Sequence, residues 1–233
     1  MRSAVMCIVF GLGFVITSAV SAQTAATASA TDLYHVHFVK AAPGQAAALA
    51  KAIVVPDKTQ PMPEHFLVLR HQEGDDWDYA VIQHLGPKTE ITVAPSTRTA
   101  ERDLRAWHTD TFVTGPSWAE FTKQMAIGGA AASNVVYIVG VHRPVPGHGD
   151  QLSKSLNAAP ASTKVQTGNI FLQHVEGSEW SFMTITRYNS WQDVAAERTE
   201  AAAAAPAAGG WADIRQHSAF HRDTIADRIF PVR

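Results

Sequence analysis

Residues 67–85 read LVLRHQEGDDWDYAVIQHL, and residues 170–188 read IFLQHVEGSEWSFMTITRY. Each stretch is a β-rich run, a Glu-Gly turn, a tryptophan and a second β-rich run, which is the pattern of a hairpin. Laid on one another at an offset of 103, they share Leu69/Leu172, His71/His174, Glu73/Glu176, Gly74/Gly177, Trp77/Trp180 and Ile82/Ile185. The match runs without a gap from Tyr34 opposite Tyr137 to Leu85 opposite Tyr188, with 12 identities in 52 positions. Unrelated pairing gives about three, so one unit has been used twice.

Working outward, the motif His108-Thr-Asp110-Thr111-Phe112 reappears as His221-Arg-Asp223-Thr224-Ile225 at an offset of 113. The ten extra residues come from the stretch AAAAAPAAGG at 201–210. This places a first repeat at 33–127, a linker at 128–135 and a second repeat at 136–233. In each repeat a β-rich run (34–40, 136–143) ends at Pro-Gly and precedes a helical pattern (45–54, 148–157). The hairpin follows, its strands at 65–72 and 77–85 in the first repeat and at 169–175 and 180–188 in the second. Next we read a polar helix, 96–113 in the first repeat and 190–205 extending through 211–224 in the second. A closing apolar strand is expected at Trp118–Met125 and Ala226–Val232.

The order β-α-β-β-α-β is the ferredoxin-like split unit. One such sheet, with helices on one face, has to bury its other face. The fold class is therefore α+β, two tandem ferredoxin-like units pairing sheet to sheet. On this topology and duplication the chain resembles the dimeric α/β-barrel superfamily in a single-chain version. The superfamily includes antibiotic-biosynthesis-type monooxygenases, haem-degrading monooxygenases, muconolactone-isomerase-like enzymes and stress-responsive proteins. The resemblance implies a barrel able to take a small apolar ligand, but the fold does not choose among these activities.

The first residues, Met1-Arg2 followed by an apolar run to Val20 and then Ser21-Ala22, have the form of a secretory signal peptide cleaved after Ala22. Residues 23–32 are expected to be a flexible leader, and a periplasmic or secreted location follows. Cleavage leaves no membrane anchor and removes Cys7, the only cysteine, which excludes disulfides and thiolate sites. It also removes Arg2, taking the formal charge from −2 to −3. With no basic stripe, nucleic acid is excluded as a partner. Self-association stays open.

The histidines kept in both repeats carry the chemical expectations. Leu67, Leu69 and His71 alternate onto one strand face, as do Ile170, Leu172 and His174. His71 and His174, with Trp77 and Trp180 beyond the turns, are candidate ligand-binding residues. The alternative is that each histidine simply bonds its hairpin glutamate. His108, Asp110, His221 and Asp223 are candidate catalytic residues, although two positions apart on a helix they would diverge by about 200°. That favours helix capping for the pair. His217 and His221, four apart on a helix, would share a face and with His108 suggest a metal-assisted alternative. His35 and His37 alternate onto one strand face without equivalents in the second repeat. No zinc-type motif or 2-His-1-carboxylate spacing is legible, so no metal site is expected. The cofactor, haem included, stays open. The leading expectation is a small-molecule binder with cofactor-independent monooxygenase or isomerase-like chemistry, set against a non-enzymatic stress or envelope protein with a packed barrel.

Overall fold

A computed structural model describes residues 31–87, 101–128, 134–158, 165–205 and 211–231. The expected signal segment, most of the expected leader and the centre of the expected linker lie outside these residues, as do the start of the expected 96–113 helix and the end of the Ala-rich stretch. The first half contributes β1 (Thr31–Ala41), α1 (Ala46–Ile53), β2 (Phe66–Glu73), β3 (Tyr79–Pro87), a 3-10 turn at Arg102–Leu104, β4 (Arg105–Pro116) and α2 (Trp118–Met125). The second contributes β5 (Val136–Pro144), α3 (Gly149–Asn157), β6 (Gln166–Glu176), β7 (Phe182–Tyr188), α4 (Trp191–Ala204), α5 (Trp211–His217) and β8 (Ser218–Phe230). No helix among the described residues is long and apolar enough to cross a membrane.

The eight strands close into one antiparallel barrel in the order β1-β3-β2-β8-β5-β7-β6-β4. Two seams join the halves, β2 with β8 and β4 with β6. The expected sheet-to-sheet pairing is thus realised by full closure, which leaves no sheet edge exposed. Alternating antiparallel pairing makes β1 and β5 run the same way, so both hairpins emerge at the same end. There each hairpin glycine presses on the other half. A Cβ on Gly74 would land on the Asp223 carbonyl, and one on Gly177 on the Asp110 carbonyl; φ is +126° and +123°. Thr224 accepts a hydrogen bond from Asp75 N, and Thr111 bonds Ser178, so the repeated Asp-Thr step is also the docking site of the opposite hairpin.

Period-two alternation sends Tyr34, Val36, Phe38, Leu67, Leu69, Ile82, Tyr137, Val139, Val141, Ile170, Leu172 and Ile185 into one interior cluster. The outer face is covered patchwise. Leu49 and Ile53 of α1 pack on Val39, Phe66, Val68 and Tyr79, and Val194 of α4 packs on Val136, Ile138 and Tyr188.

Two expected elements are exchanged. Residues 105–116 form a strand rather than the end of a helix, and 118–125 a helix rather than the closing strand. Thr109, Thr111, Val113 and Thr114 are β-branched, and such residues favour the pleated surface. Ser117 caps α2 through a bond from Glu120 N, while Phe121 and Met125, one turn apart, are fully buried. In the second half the helix expected to reach 224 stops at His217, and the strand begins at Ser218. Thr31 and Asp32, assigned to the leader, open β1. The helix α2 closes the barrel end opposite the hairpins. Phe121 and Met125 enter the interior cluster, while Arg228 and Arg187 donate to carbonyls at the C-terminal end of α2.

Candidate functional site

Because β4 and β8 are strands, residues two apart share a face, and each repeated His-x-Asp becomes a pair. In the first half, β1 and β4 oppose His37 to Asp110, His35 to Phe112 and Val39 to His108 on the outer barrel face. Asp110 Oδ1 accepts from His35 Nε2 at 2.9 Å and from His37 Nδ1 at 2.7 Å. His108 Nε2 lies 3.2 Å from the other carboxylate oxygen. Burial works to raise the Asp110 pKa, but the hydrogen bonds from His35 and His37 outweigh it and hold the carboxyl well below the usual range. Burial, then Arg105, pushes His108 down.

The second half carries the same pair with different company. Gly140 opposes Asp223 and His142 opposes His221. A side chain at 140 would meet Thr184, Asp223 and His142, so glycine makes the room that the carboxylate occupies. His221 Nε2 lies 3.1 Å from Asp223 Oδ1, and Arg198 Nη2 of α4 donates to Asp223 Oδ2 at 3.0 Å. Burial tends to raise Asp223, yet His221 and Arg198 hold it below its ordinary value. His142 stacks on His221 at 5.1 Å, and burial, reinforced by His221, lowers its pKa to about 4. Glu197 of α4 goes the other way. Burial raises it, its Oε2 has no hydrogen-bond partner among the described residues, and Arg198 Nε lies 3.7 Å away. Asp223 also lines an open polar cleft of about 470 Å³ with Gly74, Asp75, Asp76 and Arg222.

The remaining expected residues fall elsewhere. His71 and His174 face the interior at the hairpin end, each edge-on to its tryptophan, Trp77 at 5.8 Å and Trp180 at 6.0 Å. Their Nε2 atoms are buried without a partner among the described residues, so the hairpin glutamates do not take them. Trp77 and Trp180 are buried, and each contacts the Phe38 ring. His217 ends α5 and meets His148, Nδ1 to Nδ1 at 2.9 Å. It therefore shares no helix face with His221, and His108 lies on a strand that is not adjacent to β8. The helix-histidine metal site does not assemble, because the helix it needed ends before His221.

One cluster went unread. Asp32 Oδ2 accepts from His84 Nε2 at 2.9 Å and from Trp118 N at 2.8 Å, and His84 Nδ1 faces His65 Nδ1 at 3.1 Å. Burial pushes His84 below its ordinary pKa, so the ring is neutral, donates to Asp32 and accepts from His65. The counterparts 103 residues on are Val135, Arg187 and Gly168. A filter built on repetition discards this cluster, whereas a histidine alternating with Ala80 and Ile82 on an apolar strand face would have exposed it.

No family model and no curated protein matches the sequence. Solved structures do. An anthrone oxidase-like protein superposes with a TM-score of 0.58 at 13% identity, covering 87% of this chain and 92% of that one. A proposed monooxygenase from Lactobacillus acidophilus NCFM does so with a TM-score of 0.50 at 10% identity, covering 85% and 94%. At such identities the likeness is one of fold, and it supports the dimeric α/β-barrel architecture at which the duplicated sequence pointed.

Proposed function

We propose that this protein is an exported small-molecule enzyme that transfers a proton at the site beneath α4, with His221 as base, Asp223 as its orienting group and Glu197 as acid. The observation that carries this reading is the Asp-oriented histidine, kept at equivalent strand positions in both halves. With Nε2 turned to an ionised carboxylate, His221 holds its hydrogen there and presents the Nδ1 lone pair as the base. The two carboxyls of the site are driven apart, Asp223 down and Glu197 up, which is how environments divide acid from base.

The step takes a proton from an acidic C–H to His221 Nδ1 and leaves the electron pair delocalised on the substrate. Return of a proton from Glu197 to another atom gives isomerisation. Capture of the carbanion by dioxygen gives oxygenation, in which a CH₂ and O₂ become C=O and water. An anthrone-type carbon acid is the natural substrate class, given the fold shared with the anthrone oxidase-like protein. We place the ligand on the outer face because Trp77 and Trp180 both pack on Phe38 in the interior cluster. The cleft at Asp223 offers entry from solvent.

Proton NMR of deuterium wash-in from D₂O into a panel of hydroxyanthrones and enolisable ketones tests the step. Wild-type protein should catalyse exchange, and His221→Gln should lower it about 100-fold or more. A panel without exchange above buffer, or a folded His221→Gln protein as active as wild type, overturns the reading. The apolar interior cluster favours the second reading, a non-enzymatic envelope protein, and that reading predicts the first of these outcomes.

A further inference from the structure

We propose that the outer face of the first half is a metal site, in which His35, His37 and Asp110 bind one divalent transition-metal ion and His108 positions the carboxylate. The ligand atoms of His35, His37 and Asp110 all lie within 4.8 Å of one another. Two imidazoles and one carboxylate form a facial donor set that leaves other positions open, and it suits iron(II), zinc, manganese or cobalt rather than calcium or magnesium.

The backbone already holds this geometry. His35 and His37 lie two apart on β1, and Asp110 sits directly opposite His37 on β4, so three ligands hang from two paired strands without a loop among them. Sites carried on paired elements keep their donors in place better than sites on loops. Behind Asp110, His108 Nε2 stands 3.2 Å from the second carboxylate oxygen, the outer-shell contact that fixes a ligating carboxylate.

Both imidazoles now aim a ring N–H at the same oxygen, Asp110 Oδ1. A cation seated among the three groups takes the lone pairs of His35 Nε2 and His37 Nδ1. In that tautomer each ring carries its hydrogen on the other nitrogen. The second half is the internal control. It keeps the His-x-Asp pair but has Ile138 and Gly140 where His35 and His37 stand, and it cannot supply the donors. Duplication followed by divergence thus leaves a proton-transfer pair in one half and a metal set in the other.

Isothermal titration of the metal-stripped, processed chain with ZnCl₂ should show one equivalent bound with a Kd in the micromolar range or tighter. CoCl₂ should develop visible d–d absorption at the same stoichiometry. His37→Ala, and His37→Gln should the first fail to fold, are expected to weaken binding at least tenfold, as is His35→Ala. His108→Gln should weaken it about tenfold or more through Asp110. His221→Gln should bind zinc as wild type does, which separates this proposal from the proton-transfer reading. Absence of binding in the wild-type protein, unchanged affinity in folded His35→Ala and His37→Gln, or equal loss in His221→Gln overturns the assignment.

Discussion

His142 shows how one buried side chain sets a pH dependence. It is 6% exposed, stacks on His221 and leaves Nδ1 without a partner among the described residues, so burial favours the neutral ring and lowers the pKa to about 4 from 6.5. The unfolded chain therefore takes up this proton first as pH falls. Stability tied to His142 is intact above the unfolded value and declines between about pH 6.5 and about pH 4, by roughly 3 kcal/mol at about 1.36 kcal/mol per unit. His84 and His108, also shifted down by burial, steepen the same window. The depressed carboxyls of Asp110 and Asp223 act lower, because their contribution is present above their unfolded pKa and is lost as pH falls through and below it. Urea unfolding at pH 7, 5.5 and 4.5 should show the decline, and His142→Phe should flatten it between pH 6.5 and 4. An unchanged slope in that variant would remove His142 as its source.

At the scale of elements, α2 joins the capping logic of a helix to the closure of a barrel. Ser117 bonds the Glu120 amide, and Asp32 accepts from the Trp118 amide, so two residues satisfy the first turn. Asp32 simultaneously fixes His84, and the His65, His84 and Trp118 rings stack on one another at 4.8 to 5.4 Å. Ser117→Ala should cost about 1 kcal/mol. Asp32→Ala strands the His84 ring N–H and the Trp118 amide, and should cost about 2–4 kcal/mol in denaturant midpoints. Equal losses from the two variants would mean that Asp32 acts only as a cap. This region is also where the sequence was half legible. The duplicated hairpins identify the unit, the repeat and the need for two sheets to cover one another. The Ser117-x-x-Glu120 signal with Phe121 and Met125 was equally present, but the β-α-β-β-α-β template assigned that stretch to a strand. The same exchange put His108 and Asp110 on a helix, where they diverge, and so hid their convergence with His35 and His37. Side-chain convergence follows the period of the element, 3.6 or 2, so a helical reading of this stretch conceals the site even though its residues stand out singly.

At the scale of the whole molecule, the repeat preserves what joins the halves. Gly74 docks on the backbone of Asp223 and Thr224, and Gly177 on that of Asp110 and Thr111, so each half carries both a hairpin and a receptor for one. By that symmetry the first half could close a barrel with a second copy of itself. The barrel end opposite the hairpins argues against it. A single α2 fills that end with Phe121 and Met125, and no helix follows β8 among the described residues of the second half. Two copies of residues 31–128 would bring two copies of α2 to that end, and two copies of residues 134–231 none. A lone half also exposes the interior face of four strands with the unpaired edges of both seams, a surface that seeks a partner. Residues 31–128 and 134–231 expressed apart should therefore form heterogeneous aggregates, and mixed in equal amounts they should form a 1:1 complex. Native mass spectrometry and light scattering after size exclusion read the outcome directly. A stable, folded monomer of residues 31–128 would show that closure by the second half is dispensable, and a well-behaved homodimer of it would show that α2 does not enforce the pairing of unlike halves.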